Sequence, residues 1–271
     1  CDEALKHLEE GRCMEKMAIS IENLNLFIDS DDALHPDFCK VLVQLQKTYN
    51  ADIVSTRMTL FSDYAMIPDL DKKKHETNEA VFYDGEILSE YFEPKSKRSI
   101  HHGLCMKLYK KELFQELRFT VGRLHEDLYI THRLLNRAHC FVLTDLPYYY
   151  YFQKNSNSIC TNYKPKNFID EYDAVALMIS AYKNNSEIQQ HLRKFVAEHY
   201  LYLINRYYGY LNENKDLESK KDELTKWVKE YLKTEKGLSF NYKLKKYIRL
   251  CFPRLYSRYV LKSEKVDGVE V

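Results

Sequence analysis

Leu26, Phe27 and Ile28 run directly into Asp29, Ser30, Asp31 and Asp32. An apolar run of β type that stops abruptly in acids reads as a buried strand whose C-terminal end opens into a site. Three carboxylates within four positions repel one another, so the cluster is costly unless a cation or a set of donors neutralises it. Oxygen ligands at this spacing suit a hard divalent ion, Mn2+ or Mg2+, which can also hold a phosphate-bearing substrate. On this reading Asp29, Asp31 and Asp32 are metal-ligand candidates. The plainer alternative is a solvated loop that caps a helix starting near Pro36.

Composition narrows the field without choosing within it. A chain of 271 residues can form one large domain or one domain with an appendage. The formal net charge of +1 argues against nucleic acid as a bulk electrostatic partner. None of the 7 glycines falls in a G-x-G-x-x-G or P-loop arrangement, so neither phosphate-cradling loop is present. The 7 cysteines are odd in number and scattered, with no C-x-x-C pair. That pattern suits reduced thiols in a cytosolic protein better than a disulfide framework or a zinc site. No signal peptide and no apolar run long enough to span a membrane is seen. A sequence that opens at Cys1 rather than Met reads as one whose start lies upstream.

The texture of the chain gives four segments: a charged lead over 1–23, an α/β region over 24–160, a helical appendage over 161–238 and a basic tail over 239–271. Within the second, 36–49 is helical, with Phe38, Val41, Leu42 and Leu45 on one face. Residues 51–60 read as the next strand, 69–78 as a polar loop, 80–83 as a strand and 85–92 as a short helix. Residues 93–99 are a turn-rich connector with the composition of a mobile active-site segment. Residues 104–113 read as a helix, and Gly122 marks a turn.

A second acidic element follows at Glu126 and Asp127, at the start of an amphipathic helix carrying Leu128, Ile130, Leu134 and Leu135. A carboxylate there is stabilised as the anion by free N–H groups and the macrodipole. This suits a capping pair. The functional alternative is a general base at Asp127 assisted by Glu126 and His125, because a base must stay ionised and face its substrate. Residues 141–143 then form a strand, and 147–152 an aromatic one. Four successive tyrosines, Tyr148 to Tyr151, put two rings on each face, one face for the core and one able to stack on a sugar or a base.

The order of these features resembles family 2 glycosyltransferases of the GT-A fold, of the bacterial type that builds capsule, exopolysaccharide or lipopolysaccharide. The resemblance rests on the D-S-D-D turn after a strand, helix and strand, then Arg118-Phe119, His125-Glu126-Asp127, Leu134-Leu135, a strand, and a Tyr-rich strand closing in Ser158-Ile159. It covers about residues 24–160. It implies a mixed α/β sheet with helices, followed by a helical C-terminal appendage. It also implies a divalent ion (Mn2+ or Mg2+) and a nucleotide-sugar diphosphate at Asp29 and Asp31, with Asp32 adjacent. The catalytic base of an inverting transfer falls on Asp127, with Glu126 beside it, and residues 105–109 line the acceptor side. The implied acceptor is a glycan or a lipid-linked sugar of a cell-surface polysaccharide.

Residues 1–23 carry none of the V-x-x-Y-N-like, D-x-S-x-D-like or A-R-N-like segments by which the family holds the nucleoside. The chain therefore reads as a partial GT-A fold lacking the N-terminal nucleotide-binding half, with 1–23 as its remnant and a raw sheet edge on the Asp29 strand. Where relatives often read Y-R-x-R-x-x-S-I, Gln153 and Asn155 stand at the arginine positions, leaving Lys154 as the available phosphate-neutralising charge. Two other readings stand beside the enzyme: a non-catalytic remnant serving as a binding module, and a haloacid-dehalogenase-like phosphatase. The latter wants Thr or Val where Ala33 stands and leaves Asp127 unexplained.

The last two segments are helical. Leu192, Phe195, Val196, His199, Leu203 and Tyr207 form an apolar stripe in a helix expected over 186–211, flanked by helices over 167–183 and 216–233. Beyond it, Lys243, Lys245, Lys246, Arg249, Arg254, Arg258 and Lys262 interleave with aromatic and aliphatic residues, with no acid from 240 until Glu264. Such a stretch suits a membrane surface rich in anionic lipid, or a basic face laid over an acidic patch of its own chain. The expected location is the cytoplasm, including a peripheral place on the inner face of the cell membrane.

Overall fold

The computed structural model describes residues 16–21, 23–70, 72, 77–93, 99–154, 164–213 and 215–256. The described residues fall into two compact units, 16–91 with 99–154, and 92–93 with 164–256.

In chain order the first unit contains strands β1 (Lys16–Ile21), β2 (Leu24–Asp29) and β3 (Ala33–Leu34), helix α1 (Phe38–Tyr49), and strands β4 (Ile53–Ser55) and β5 (Met58–Phe61). Helix α2 (Ile67–Leu70), strand β6 (Glu79–Tyr83), helix α3 (Gly85–Tyr91), strand β7 (Lys107–Lys110), helix α4 (Glu126–Leu135), strand β8 (Cys140–Thr144) and strand β9 (Tyr149–Phe152) complete it. Six strands form a mixed sheet in the order β1-β2-β7-β4-β8-β6, and β3-β9-β5 form a smaller one. Within the large sheet β4 and β8 are parallel, while β7 runs antiparallel to both β2 and β4. The strands at its centre are buried on both faces, as the runs Ile53, Val54 and Phe141, Val142, all 0 % exposed, require. Each such side chain contributes about 1.5–3 kcal/mol by leaving water.

Side-chain chemistry fixes the junctions. Helix α1 buries Phe38 and Leu42 and ends at Asn50, whose left-handed backbone (φ 50°) returns an N–H to Gln46. Asp52 then fastens the sheet before β4: Oδ1 accepts from Lys110 at 2.7 Å, and Oδ2 from the N–H groups of His139 (2.7 Å) and Cys140 (3.1 Å). Burial works against the charge of Asp52, but these donors outweigh it and hold its carboxyl below the usual range.

Four expectations from the sequence are corrected here. Residues 104–113 are not a helix but β7 followed by a 3-10 turn, Lys111–Phe114, because Lys107, Leu108 and Tyr109 are all buried between β2 and β4. Residues 51–60 do not make one strand. The chain leaves the large sheet at Thr56 and Arg57, whose N–H groups bond to Met106 and Leu146, and β5 joins the small sheet instead. The Asp29 strand has no raw edge, since β1 pairs antiparallel along its whole length from Lys16 opposite Asp29 to Ile21 opposite Leu24. The tyrosine run offers less stacking surface than expected: Tyr149 and Tyr150 point to opposite sides and are 1 % and 2 % exposed, while Tyr148 and Tyr151 are half-buried.

The second unit holds helices α5 (Pro165–Tyr182), α6 (Gln189–Arg206), α7 (Tyr208–Glu213), α8 (Lys215–Thr234) and α9 (Phe240–Cys251). Pro165 opens α5 at the position where a missing N–H costs nothing. The helix expected over 186–211 breaks at Tyr207, which lies outside α6 and α7 and bonds through its hydroxyl to the buried Glu171 at 2.8 Å. Of the predicted stripe, Leu192, Val196, Leu203 and Tyr207 are buried, and Phe195 and His199 are half-buried. The expectations for 1–15, 94–98, Ser158-Ile159, Arg258 and Lys262 fall outside the described residues. Among the described cysteines Cys39, Cys105, Cys140 and Cys251 are free thiols.

Candidate active site

The acidic turn closes β2. Asp29 is the last residue of the strand, and the N–H of Asp32 returns to its carbonyl at 3.1 Å, which folds Ser30 and Asp31 into a tight reversal. Asp32 is then engaged by β9: Oδ1 accepts from the Phe152 N–H at 2.8 Å and Oδ2 from the Tyr149 hydroxyl at 2.5 Å. The same hydroxyl accepts the N–H of Asp29 at 3.2 Å, so one buried phenol joins both ends of the turn. Burial, the Cys105 thiol and the Asp32 and Asp29 carboxylates all push Tyr149 far above the ordinary tyrosine range, which keeps it a proton donor. On the other side the Tyr64 hydroxyl donates to the Asp31 carbonyl at 2.6 Å, and its ring stacks on Phe152 with centroids 5.0 Å apart.

The electrostatic cost anticipated from the sequence is visible. Burial first, then the Asp29 and Asp31 charges, raise Asp32 to about 7 against the pull of its two donors. Both Asp32 oxygens are taken by β9, so it acts as a clasp for the turn, and Asp29 and Asp31 remain the half-buried carboxylates of the loop. Among the described residues no three His, Cys, Asp or Glu side chains are gathered as a metal cage. Two oxygen donors at a strand end still fit a Mg2+-like ion, which commonly takes one or two carboxylates and completes its shell with water and substrate phosphate.

The second acidic element stands at the same end of the sheet. Leu26 lies opposite Leu108 and Ser55 opposite Lys107, so β2 and β4 both terminate where the chain enters β7. Strand ends of this kind are where open α/β sheets bind ligands. The entering loop carries His101, His102 and Gly103. The Gly103 N–H bonds to His101 Nδ1 at 2.9 Å, its carbonyl accepts from the fully buried Lys107, and Thr131 Oγ1 of α4 holds the His102 carbonyl at 2.6 Å. A Cβ on Gly103 would lie 3.0 Å from His101 Nδ1, so glycine relieves the turn against the His101 ring, and 3.7 Å from Asp127 Oδ2, which puts this loop beside the Asp127 carboxylate.

Asp127 itself is half-buried in the first turn of α4, with Glu126 beside it at 7 % exposure. His125 precedes them with a left-handed backbone (φ 56°), a conformation that costs a residue with a Cβ about 1–2 kcal/mol. That turn delivers both carboxylates to the helix N-terminus, where the macrodipole favours their anions. Lys154 is exposed just past β9.

The structure thus brings Asp29, Asp31 and Asp32 together on one turn and places Asp127 and Glu126 at the same end of the sheet. Sequence reasoning did not find His101, Gly103, Thr131 or the Tyr64–Phe152 pair, and had Lys107 only as part of the 105–109 stretch on the acceptor side. A lone glycine after two histidines was the one local signal, and the remaining contacts are made by residues far apart in the chain.

No protein-family profile matches the chain. Over 118 residues it is 32% identical to "Glycosyltransferase GlyA" of Streptococcus pneumoniae serotype 4, a match covering 41% of this chain and 16% of that protein. The chain therefore spans only a small part of that relative's length. Its fold is similar to that in the crystal structure of S. aureus TarS 1–349 in complex with UDP-GlcNAc, with a TM-score of 0.55 at 15% identity over 93% of this chain and 72% of that one. In sequence, then, part of the chain is similar to a glycosyltransferase, and in fold the chain is similar to TarS: a mixed α/β unit followed by a helical C-terminal region.

Proposed function

We propose that this chain is the acceptor-side part of an inverting, metal-dependent glycosyltransferase of family 2 type. It moves a sugar from a nucleoside-diphosphate donor to a glycan or lipid-linked acceptor in cell-surface polysaccharide synthesis. The observation that carries the reading is the carboxylate turn closing β2 with Asp127 at the same end of the sheet, in a fold similar to TarS. The solved TarS complex contains UDP-GlcNAc, which favours a uridine diphosphate sugar as donor. The GlyA and TarS likenesses together disfavour the phosphatase reading, which also leaves Asp127 without a role.

Asp29 and Asp31 hold Mn2+ or Mg2+, and the ion's contribution when bound is to neutralise the diphosphate as it leaves. Asp32, Tyr149 and Tyr64 keep the turn in shape. Asp127 takes the proton from the acceptor hydroxyl, whose oxygen then bonds to the anomeric carbon as the bond to the diphosphate breaks. Glu126 and the 101–103 loop fix where Asp127 points, and Lys154 lends positive charge near the phosphates.

The test is calorimetry of uridine diphosphate binding to the full-length natural protein, with and without Mn2+. Binding should require the metal and should be lost in Asp31→Asn. Unchanged affinity in that variant removes Asp31 from the site, and a parent that binds no nucleotide under any metal leaves the binding-module reading instead.

A further inference from the structure

Helix α9 is mounted with its charged side inward. Tyr242, Lys246 and Arg249 all reach one carboxylate, Glu198 on α6: the tyrosine hydroxyl at 2.7 Å, Arg249 at 3.5 Å, and Lys246, itself only 6 % exposed, as a direct ion pair. Burial works against the charge of Glu198, but these partners outweigh it and hold it ionised below the usual carboxylate range. Glu198 thereby anchors the helix by its polar side, and the apolar side is left outward. Phe240 is 77 % exposed, Leu244 45 % and Ile248 49 %, spaced four apart on one face, and Phe252 (56 %) and Leu255 (64 %) extend the patch past the helix end. A surface helix of a globular protein ordinarily shows the reverse.

The charge around this face identifies its occupant. At helical spacing Lys243 borders it on one side and Lys245 on the other, and Arg254 stands exposed beyond the helix. No Asp or Glu occurs anywhere in 240–256. A second copy docked through this segment alone by a two-fold would bring these cations against their own kind, since 240–256 supplies no acid to answer them. Among the described residues no helix is long and apolar enough to cross a membrane, so an embedded span is not the answer either. An apolar stripe with a cationic border matches the boundary between acyl chains and anionic headgroups. We propose that α9 is an interfacial anchor that lays its outward face on a membrane surface bearing anionic lipid, while the Glu198 cluster ties that anchor to the rest of the helical unit.

The proposal does not depend on the transferase reading, and its test needs no activity. The full chain is co-sedimented with vesicles of phosphatidylcholine alone and of phosphatidylcholine with phosphatidylglycerol, at low and high salt. The parent should prefer the anionic vesicles and lose that preference as salt rises, since the attraction is screened within about 8–10 Å at physiological ionic strength. Lys243→Gln, Lys245→Gln and Arg254→Gln together should weaken binding by about 10²-fold, roughly fivefold for each charge. Leu244→Glu with Ile248→Glu should abolish it, and because both residues are exposed, the circular dichroism spectrum and melting temperature should stay at the parent's values. Equal binding to neutral vesicles, or full binding by the Leu244→Glu/Ile248→Glu protein, overturns the proposal. So does light scattering that shows a parent dimer dissolved by the same pair, which would make this face an interface between copies.

Discussion

The Asp127 carboxylate is where the chemistry of the site is most exposed to test. It sits in the first turn of α4 beside the 101–103 loop, where a helix cap and a general base are both at home. On the proposed transferase reading, Asp127→Asn should lower kcat by about 10²–10⁴-fold with little change in donor affinity, because the amide keeps the shape and cannot accept the proton. Transfer at the parent rate would reduce Asp127 to a cap. Five residues on in the same helix, His132 is 2 % exposed, and burial, with the Arg133 charge beside it, lowers it to about 4. The folded pKa lies below that of the unfolded chain, so the stability that His132 allows is fully present above about pH 6.5. It is lost as pH falls toward 4, where the unfolded state binds the proton first. Over that window the loss is of order 3 kcal/mol. Thermal melts of the parent and of His132→Gln between pH 4 and 7 check this: the parent's melting temperature should drop toward the acid end, and the variant's profile should be flatter by the His132 share.

At the scale of elements, what the sequence made legible was whatever is decided locally. The strand that ends in Asp29 announces itself because its apolar run stops in acids without transition, and α1 and α4 because their apolar spacing closes on one face. The reading of 104–113 failed because lysines at both ends of Leu108-Tyr109 mimic the edges of an amphipathic helix. Lys107 is in fact 0 % exposed in the middle of the sheet, its ammonium donating to a carbonyl four residues back. Nothing within a window of ten residues reports such a burial. The Tyr149 hydroxyl poses the same difficulty, since it serves the acidic turn from 117 and 120 residues away, and so the clasp on Asp32 was invisible while the cluster it stabilises was plain. The basic helix α9 was legible in composition, yet which face it shows to solvent is set by Glu198, at a distance of 48 residues from Lys246. Of the two meanings weighed for that segment, cover over an acid of the same chain is seen in Lys246 and Arg249 on Glu198, and the outward surface is apolar with a cationic border.

Across the whole molecule the same asymmetry predicts an order of local stability. The strands β4, β7 and β8 are each paired on both sides and bury Ile53, Val54, Tyr109, Phe141 and Val142 completely, so freeing any of their amides means dismantling the sheet. Helix α9 is held by the three side chains gathered on Glu198 and carries its largest apolar groups in water, so its opening costs little buried area. Hydrogen exchange followed by mass spectrometry should therefore show the amides of β4, β7 and β8 at the slow limit set by global unfolding, and those of α9 at least about a hundredfold faster. Adding vesicles that contain phosphatidylglycerol should slow α9 selectively, since ordering the helix on a surface removes its cheapest opening. Central-strand peptides should not respond. If α9 already exchanges as slowly as β8 in plain buffer, its outward face is covered in solution by something other than lipid, and the inverted mounting of this helix serves a protein contact.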